Sequence, residues 1–391
     1  MKGTTRHRSW WERRLPDAEL APPPARELPD AVDVLIVGAG FMGRWLARFL
    51  SRLPTPPRIL VVERDGFGYG ASTRNAGFLT CGQVSEMRAD VEAVGLDAVV
   101  ETFLRRLRGM EIVRGAFPDL EVEGGGSLDW DPLTEEKRAL AETLNAEAGR
   151  EIYRVREAAV EGGIRPAMFN AADGMLDPVR LLRRIGSDTA ADFAFGVSAE
   201  EVGGGHAALR TARGPHALRY AHAFLCTNAF TPTLHAGSTV APGRGQVIVT
   251  SPVETSVERS PGYLNEGYDY FRFVGDRLLI GGGRHAHPEE NGPTELETTD
   301  AVGGYLREVA ARVVGHDDFE VEHHWAGIMG FPEGRHLGGS PRVRIDDRTE
   351  AIAGFGGMGV ALTPPTAEEV ARDFDRRAAP PRSRSGARRV R

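Results

Sequence analysis

A strand, a glycine-rich turn and a helix are predicted in immediate succession in residues 33–53. The apolar run Val34–Val37 ends in a G-x-G-x-x-G pattern formed by Gly38, Gly40 and Gly43. In such a unit the first glycine permits the tight turn, the second lets the backbone approach a pyrophosphate, and the third allows the helix to pack closely on the strand. The N–H groups at the helix start attract phosphate. The pattern therefore predicts a dinucleotide-binding site.

An acidic residue stands where a ribose-binding group is needed. A second apolar run, 58–62, ends in Glu63, twenty positions after Gly43. A carboxylate there accepts hydrogen bonds from both ribose hydroxyls and repels a 2′-phosphate. A glycine turn in another kind of strand–helix–strand unit is the alternative, but the strand, the helix and the acid together favour a dinucleotide.

The segment 65–78 is rich in small residues and contains the sequence Gly-Ala-Ser-Thr-Arg-Asn-Ala-Gly. Small residues let an extended chain lie flat against a ligand, and Ser72, Arg74 and Asn75 supply hydrogen-bond donors. This segment resembles the FAD-dependent oxidoreductases of the D-amino-acid oxidase, glycine oxidase and sarcosine oxidase family. Four further blocks resemble the same family in the same order, so the resemblance runs from about Val32 to Asp373: they are residues 173–182, 223–229, 242–247 and the pair 325–330 with 354–363.

The resemblance implies an α/β (α+β overall) protein with a Rossmann-type FAD-binding domain and a discontinuous antiparallel-sheet substrate domain. The predicted segments are an N-terminal arm (1–29), three parts of the FAD-binding domain (30–84, 165–246 and 320–375), a helical part (85–164) and a sheet part (247–319) of the substrate domain, and a disordered basic tail (376–391). A hairpin is predicted around Gly275–Asp276.

The motifs and the resemblance together predict a set of residues around non-covalently bound FAD. They are Gly38, Gly40, Phe41, Met42, Gly43, Glu63, Arg64, Ala71, Ser72, Arg74, Asn75, Ala76, Gly77, Val197, Thr227, Asn228, Gly327, Gly356, Gly357, Met358, Gly359 and Val360. The last glycines precede a helix predicted over Ala367–Arg376, so their N–H groups are expected to face the flavin.

The amino-acid composition argues against nucleic-acid-binding, disulfide-rich, metal-binding and membrane-spanning proteins. The net charge of −7 argues against nucleic acid as a partner. Two cysteines, Cys81 and Cys226, do not make a disulfide framework or a metal cluster, and we predict no metal. The sequence has no apolar run of membrane-spanning length and no apolar region of a signal peptide, so we expect a cytoplasmic protein.

The N-terminal arm contains Trp10 and Trp11 among several arginines. One interpretation is contact with a membrane surface or a partner. The favoured interpretation is an arm that lays both tryptophans on the protein's own surface.

The family resemblance predicts oxidation of a C–N bond in an amine or amino acid, with hydride transfer to the flavin and reoxidation by oxygen or another acceptor. Most of that reactivity belongs to the cofactor. The alternative is an FAD-binding protein with little or no turnover that acts as a subunit or interaction module.

The substrate side departs from the family pattern. Glycine and D-amino-acid oxidases carry an arginine that grips the substrate carboxylate where this chain has Met329. The change favours an amine, similar to the gamma-glutamylputrescine oxidase branch, or an acid held by another residue. Arg272 and Arg284 are the candidate replacements, and His324 is a candidate base beside Trp325. We assign Arg272, His324 and Met329 to the catalytic region.

Overall fold

The computed structural model describes residues 8–23, 27–332 and 341–378. In these residues the chain forms two eight-stranded sheets and one two-stranded pair. The strands are β1 (Ala31–Val37), β2 (Ile59–Glu63), β3 (Phe78–Leu79), β4 (Ser127–Asp129), β5 (Tyr153–Val160), β6 (Gly163–Asn170), β7 (Gly174–Met175), β8 (Asp192–Phe195), β9 (Ser198–Gly203), β10 (His206–Thr211), β11 (Gly214–Leu225), β12 (Ala241–Pro252), β13 (Gly262–Leu264), β14 (Asp269–Val274), β15 (Arg277–Gly282), β16 (Val321–Phe331), β17 (Arg342–Arg344) and β18 (Thr349–Ile352). The helices are α1 (Asp17–Leu20), α2 (Phe41–Leu50), α3 (Val84–Val94), α4 (Leu96–Ala116), α5 (Glu135–Ala148), α6 (Pro178–Ser187), α7 (Asp300–Val314) and α8 (Gly359–Ala378).

The first sheet has the strand order β17-β18-β11-β1-β2-β8, and β10 and β9 extend from β11. The strands from β18 to β8 are parallel. The run Val34–Val37 is buried on both faces, as expected for a central parallel strand. Since Val37 pairs with both Val62 and Leu225, the residues that follow these three strands meet at one edge of the sheet. Ligands bind at this edge in open α/β sheets.

The second sheet has the order β16-β12-β15-β14-β13-β4-β6-β5 and is antiparallel apart from the β13–β4 pair. The predicted hairpin is confirmed, because β14 and β15 pair around Gly275–Asp276. Helix α7 packs on β12 and β15 through an apolar face that includes Val302, Leu306 and Val309. The mixed α/β architecture agrees with the predicted fold class.

The segment predicted as helical, 85–164, contains α3, α4 and α5 but also β4, β5 and the start of β6. The strand β5 has the sequence YRVREAAV, whose Ala, Glu and Arg content is typical of helices. Its pairing with β6 along the full length overrides that propensity. The strands β4, β5 and β6 join the second sheet, so this segment contributes both helices and strands.

Helix α8 begins at Gly359, eight residues before the predicted start at Ala367, although Pro364 and Pro365 lie inside it. Proline removes a helical donor, so Pro365 leaves the carbonyl of Ala361 without its i+4 partner. That carbonyl lies against Gly109 of α4, where a Cβ atom would be only 1.7 Å from the oxygen. Close packing of the two helices accounts for the longer helix.

The N-terminal arm packs on the protein itself, which confirms the favoured interpretation of its tryptophans. Trp10 and Trp11 are 2% and 5% exposed and join a core cluster with Val247, Leu279 and Trp325. The predicted disordered tail 376–391 is helical at its start, because α8 continues to Ala378, and its residues from 379 onward lie outside the described residues. Among the described helices, none is long and apolar enough to cross a bilayer. The segment boundaries stay predictions, although β16 at the start of segment 320–375 pairs in the second sheet.

Candidate active site

The glycine turn has the geometry that its pattern predicts. Gly38 has a φ of +105°, and a Cβ there would lie 2.6 Å from the carbonyl oxygen of Cys226. A Cβ on Gly43 would lie 2.0 Å from the oxygen of Gly38, so only glycine lets α2 start this close to β1. A Cβ on Gly40 would lie 2.9 Å from Ser72 Oγ. Gly40 therefore leaves room for Ser72, and Gly38, Gly40 and Phe41 all line the cavity described below.

Glu63 ends β2 beside this turn. Its Oε2 accepts a hydrogen bond from the Ala39 N–H at 3.0 Å, and its Oε1 accepts one from the Asp65 N–H at 3.2 Å. Burial raises the pKa of the Glu63 carboxyl above its ordinary value. The two backbone bonds hold the carboxylate at the edge where a ribose would lie.

Replacing Glu63 by alanine should weaken FAD binding about 10- to 100-fold, because hydrogen bonds to a charged group contribute about 1.5–3 kcal/mol. Titrating apoprotein with FAD and following flavin fluorescence gives the dissociation constant. Half-buried Asp33 on β1, which pairs with Arg58, provides the control, since Asp33→Ala removes a carboxylate at the start of the strand and away from the turn. Unchanged FAD affinity in Glu63→Ala would remove the ribose role.

The segment 71–77 begins with a short 3-10 helix, Ala71–Thr73, and closes over the start of α2. Ser72 Oγ accepts a hydrogen bond from the Phe41 N–H at 2.9 Å. The Asn75 side chain holds the segment itself, because Nδ2 donates to Ser72 O and Oδ1 accepts from the Gly77 N–H, both at 2.9 Å. The Arg74 guanidinium donates to Ala326 O at 2.8 Å and to Tyr69 O at 3.1 Å. Asn75 and Arg74 thus shape the segment as well as facing the cavity.

The glycine-rich residues 354–358, which precede α8, meet this edge of the first sheet from the other side. Gly356 has a φ of +54°, and its N–H donates to Gly330 O at 2.8 Å. Asn228 has an uncommon positive φ of 47°, and its Oδ1 accepts a hydrogen bond from the Gly354 N–H at 3.1 Å. Strained non-glycine backbone of this kind persists where the surroundings over-determine it, as at ligand sites. Asn228 therefore ties the end of β11 to the block that precedes α8.

One cavity of about 1130 Å³ joins these elements. It exceeds the ~300–1,000 Å³ typical of small-ligand sites, as a dinucleotide with a substrate requires. Most residues predicted to surround FAD line it, and the exceptions are Gly43 and Gly77. Those two act by packing, since a Cβ on Gly77 would lie 2.1 Å from Leu176 O. The predicted residues that line the cavity are Gly38, Gly40, Phe41, Met42, Glu63, Arg64, Ala71, Ser72, Arg74, Asn75, Ala76, Val197, Thr227, Asn228, Gly327, Gly356, Gly357, Met358, Gly359 and Val360.

The second sheet and β3 together supply an aromatic wall to the same cavity. Phe78, Tyr263 and Tyr270 line it, with the Phe78 ring 5.0 Å from that of Tyr263 and 5.9 Å from that of Tyr270. Burial raises the pKa of Tyr270 to about 12 and that of Tyr263 well above its ordinary value, so both phenols are neutral at neutral pH. Sequence reasoning missed Phe78 and Tyr263, because their approach depends on how β3 packs against β13 and β14.

Met329 lines the cavity at the predicted place, but Arg272 does not. Arg272 is 2% exposed, and its guanidinium donates to Leu176 O at 3.1 Å and to Glu123 Oε2 at 3.1 Å. It also lies 5.3 Å from the Trp11 ring. Arg272 and Tyr270 share a face of β14, because they are two residues apart, but the longer Arg272 side chain ends at the backbone oxygens of Ala76 and Leu176 and not in the cavity. A contribution to folding fits this position better than contact with a substrate.

His324 also lies away from the cavity lining. It packs against α7, where a Cβ on Gly303 would be 3.0 Å from its ring. Its neighbour His323 bonds Arg8 O through Nε2 at 2.7 Å and lies beside Trp325. The predicted base is therefore not brought to the site. In the described residues, no group of three His, Cys, Asp or Glu side chains is placed to hold a metal.

Of the two arginines proposed to replace the missing carboxylate-binding arginine, Arg284 is the one that lines the cavity. It follows β15, lines the cavity, and places its guanidinium carbon 3.8 Å from the centre of the Phe331 ring. Nη1 donates to Asn291 Oδ1 at 3.2 Å. Gly243 leaves room for this stack, because a Cβ there would lie 2.6 Å from the Phe331 ring and 3.2 Å from Arg284 Nη1. Phe331 lies two residues after Met329, on the same face of β16.

Comparison with known proteins agrees with this site. The sequence model of the FAD dependent oxidoreductase family DAO matches residues 33–372. A search of curated proteins found no match. Among solved structures, L-proline dehydrogenase from P. horikoshii has 15% identity and a TM-score of 0.70 over 89% of this chain and 94% of that one. Glycine oxidase from Geobacillus kaustophilus has 18% identity and a TM-score of 0.69 over 90% and 96%.

The similarity extends to a solved structure that contains the cofactor. L-alpha-glycerophosphate oxidase from Mycoplasma pneumoniae, with FAD bound, has 13% identity and a TM-score of 0.65 over 88% of this chain and 95% of that one. The fold, the glycine turn with Glu63, and the cavity between the two sheets fit FAD. The chain belongs to the DAO family of FAD-dependent oxidoreductases.

Proposed function

We propose that this FAD-dependent oxidoreductase oxidises a C–N bond of an amine or amino acid. Bound FAD supplies the acceptor for the hydride that leaves the carbon next to nitrogen. The neutral amine gives up a hydride, with its two electrons, and becomes an iminium ion, the protonated imine, which water hydrolyses to a carbonyl compound and an ammonium ion. Oxygen or another acceptor then takes the two electrons. The observation that carries the proposal is the aromatic wall and Arg284 in the same cavity as the FAD-binding residues.

The aromatic wall favours an amine in its neutral form. Hydride loss needs the nitrogen lone pair, which an ammonium group lacks. Phe78, Tyr263 and Tyr270 present aromatic rings to their part of the cavity, and apolar surroundings disfavour the charged form of an amine. The neutral phenols of the two tyrosines offer hydrogen bonds without a charge that would stabilise ammonium.

Arg284 is suited to hold a substrate carboxylate. Its planar guanidinium can form two parallel hydrogen bonds with a carboxylate, and the stack on Phe331 fixes the plane. It would replace the arginine for which this chain has Met329. The cation then comes from the end of β15 instead of from β16. This arrangement supports an amino acid as substrate, with an amine as the second class.

Replacing Arg284 by methionine should raise KM for an amino-acid substrate about 10- to 100-fold, because a charge-assisted bond is worth about 1.5–3 kcal/mol. The ratio of kcat/KM for an amino acid to that for its decarboxylated amine measures the effect. Arg277→Met is the matched control, since Arg277 begins the same strand and pairs with Glu322 at the surface. An unchanged ratio would remove the carboxylate role of Arg284 and leave amine oxidation in place.

A further inference from the structure

The N-terminal arm buries a charged residue between its two tryptophans and the cofactor segment. Glu12 and Ser9 are fully buried, while the neighbouring Arg13 and Arg14 are exposed. Glutamate is almost never fully buried unless it is paired. A short arm that only covered apolar surface would not need a buried carboxylate, so the partners of Glu12 indicate a further role.

Those partners belong to the segment that closes over the start of α2. Ser9 Oγ donates to Thr73 O at 2.7 Å, and Thr73 Oγ1 donates to Glu12 Oε1 at 2.7 Å. Trp11 Nε1 donates to Asn75 O at 2.8 Å. Residues 71, 72 and 74–76 of this segment line the cavity, whereas none of residues 8–15 does. The arm therefore holds the segment from the side opposite the cavity.

The second oxygen of Glu12 faces Arg74. Its Oε2 lies 3.5 Å from an Arg74 guanidinium nitrogen, and both side chains are fully buried. The same guanidinium donates to Ala326 O, immediately before Gly327 of the cavity wall. A buried cation that loses its carboxylate is strongly unfavourable, so Arg74 would have to leave this position if Glu12 were neutralised. The ion pair links the arm, the cofactor segment and β16.

We propose that Glu12 is a positioning residue for FAD, and that the arm fixes the segment 71–77 in its binding conformation. Ser72 is the group that this conformation places, since its Oγ lies at the Phe41 N–H where a phosphate would approach. The inference concerns FAD affinity and does not depend on the substrate. An arm that pre-organises a binding segment lowers the ordering cost of binding. Coupling of this kind is reciprocal, so FAD should in turn hold the arm in place.

The first test compares FAD affinity among full-length variants. Glu12→Gln keeps the shape and one acceptor but removes the charge, and it should raise the FAD dissociation constant at least 10-fold. Glu19→Gln is the matched control, because Glu19 lies in the same arm and pairs with exposed Arg183. It should change the constant less than 2-fold. Arg74→Gln combined with Glu12→Gln should bind FAD no more weakly than the worse single variant, as expected for coupled residues.

A lower unfolding temperature for Glu12→Gln with wild-type FAD affinity would overturn the proposal, because it would reduce the arm to a fold-stabilising element.

The reciprocal measurement uses the wild-type protein and stays informative if the variants do not fold. Trypsin cleaves after arginine, and Arg13 and Arg14 lie in the arm, whereas Arg213 lies in the β10–β11 turn. FAD should slow cleavage at the arm at least 10-fold more than cleavage at Arg213. Equal slowing at both places would contradict the coupling.

Discussion

Replacing Gly43 by alanine should give a colourless protein that no longer retains FAD. A Cβ at this position would lie 2.0 Å from Gly38 O and 3.2 Å from Ile36, and the first contact is with backbone that cannot rotate away. The start of α2 would have to move from β1, which displaces the N–H groups that face the phosphates. Overpacking of this kind costs about 1–3 kcal/mol or more, and we expect FAD affinity to fall at least 100-fold.

Gly304→Ala is the matched control for this change. Gly304 also lies in a helix, α7, but a Cβ there would meet nothing within 4 Å. Alanine stabilises an exposed helical position by up to about 1 kcal/mol relative to glycine, so this variant should keep its flavin and unfold at the same or a slightly higher temperature. The flavin absorbance of each purified protein gives the comparison. A yellow Gly43→Ala protein with wild-type affinity would show that close packing of α2 is not required.

Replacing Asp173 by alanine should lower the free energy of unfolding by about 3–5 kcal/mol. Asp173 is buried, and Oδ2 accepts hydrogen bonds from Ser127 at 2.7 Å, Thr80 at 2.9 Å and Gln83 at 3.1 Å. Oδ1 accepts one from Asn170 at 2.9 Å. Alanine would leave these buried donors without their acceptor, and each such group costs about 1–3 kcal/mol. Chemical denaturation followed by tryptophan fluorescence measures the change.

The exposed Asp318→Ala variant is the control and should change stability by less than about 0.5 kcal/mol. The pH dependence is a second check. Burial raises the pKa of Asp173 to about 7, whereas an unfolded aspartate has about 3.9. The folded protein holds this proton more tightly, so the contribution of Asp173 is fully present below pH ~4 and is lost as pH rises through 7. The stability difference between wild type and Asp173→Ala should be larger at pH 5 than at pH 8; the opposite trend would contradict the direction of the shift.

The local part of the cofactor site could be predicted from the sequence. Gly38, Gly40, Gly43 and Glu63 act through short spacings along one strand–helix–strand unit, and their geometry follows from those spacings. The blocks near Asn228 and Gly356 were identified by resemblance, and parallel pairing brings them to the same edge of the first sheet.

The substrate end depends on contacts that no local pattern contains. Arg272 and Tyr270 lie on the same face of β14, yet only Tyr270 lines the cavity, because the Arg272 side chain extends to Leu176 and Glu123. The Arg284–Phe331 stack joins residues 47 positions apart through Gly243, which has no side chain. The role of the arm depends on Glu12 reaching Arg74, 62 positions away. Long-range packing of this kind decides which polar residues face the cavity.

The most direct test of the proposed function is anaerobic reduction of the bound flavin. The purified yellow protein would be mixed without oxygen with a panel of amino acids, primary and secondary amines, and the matching hydroxy acids and alcohols, while the flavin absorbance is recorded. Oxidation of a C–N bond predicts bleaching by a nitrogen compound and none by its oxygen counterpart, followed by recovery on addition of oxygen or another acceptor. Bleaching by hydroxy compounds alone, or by none of the panel while dithionite still reduces the flavin, would contradict it, and the second result would favour a flavoprotein without turnover.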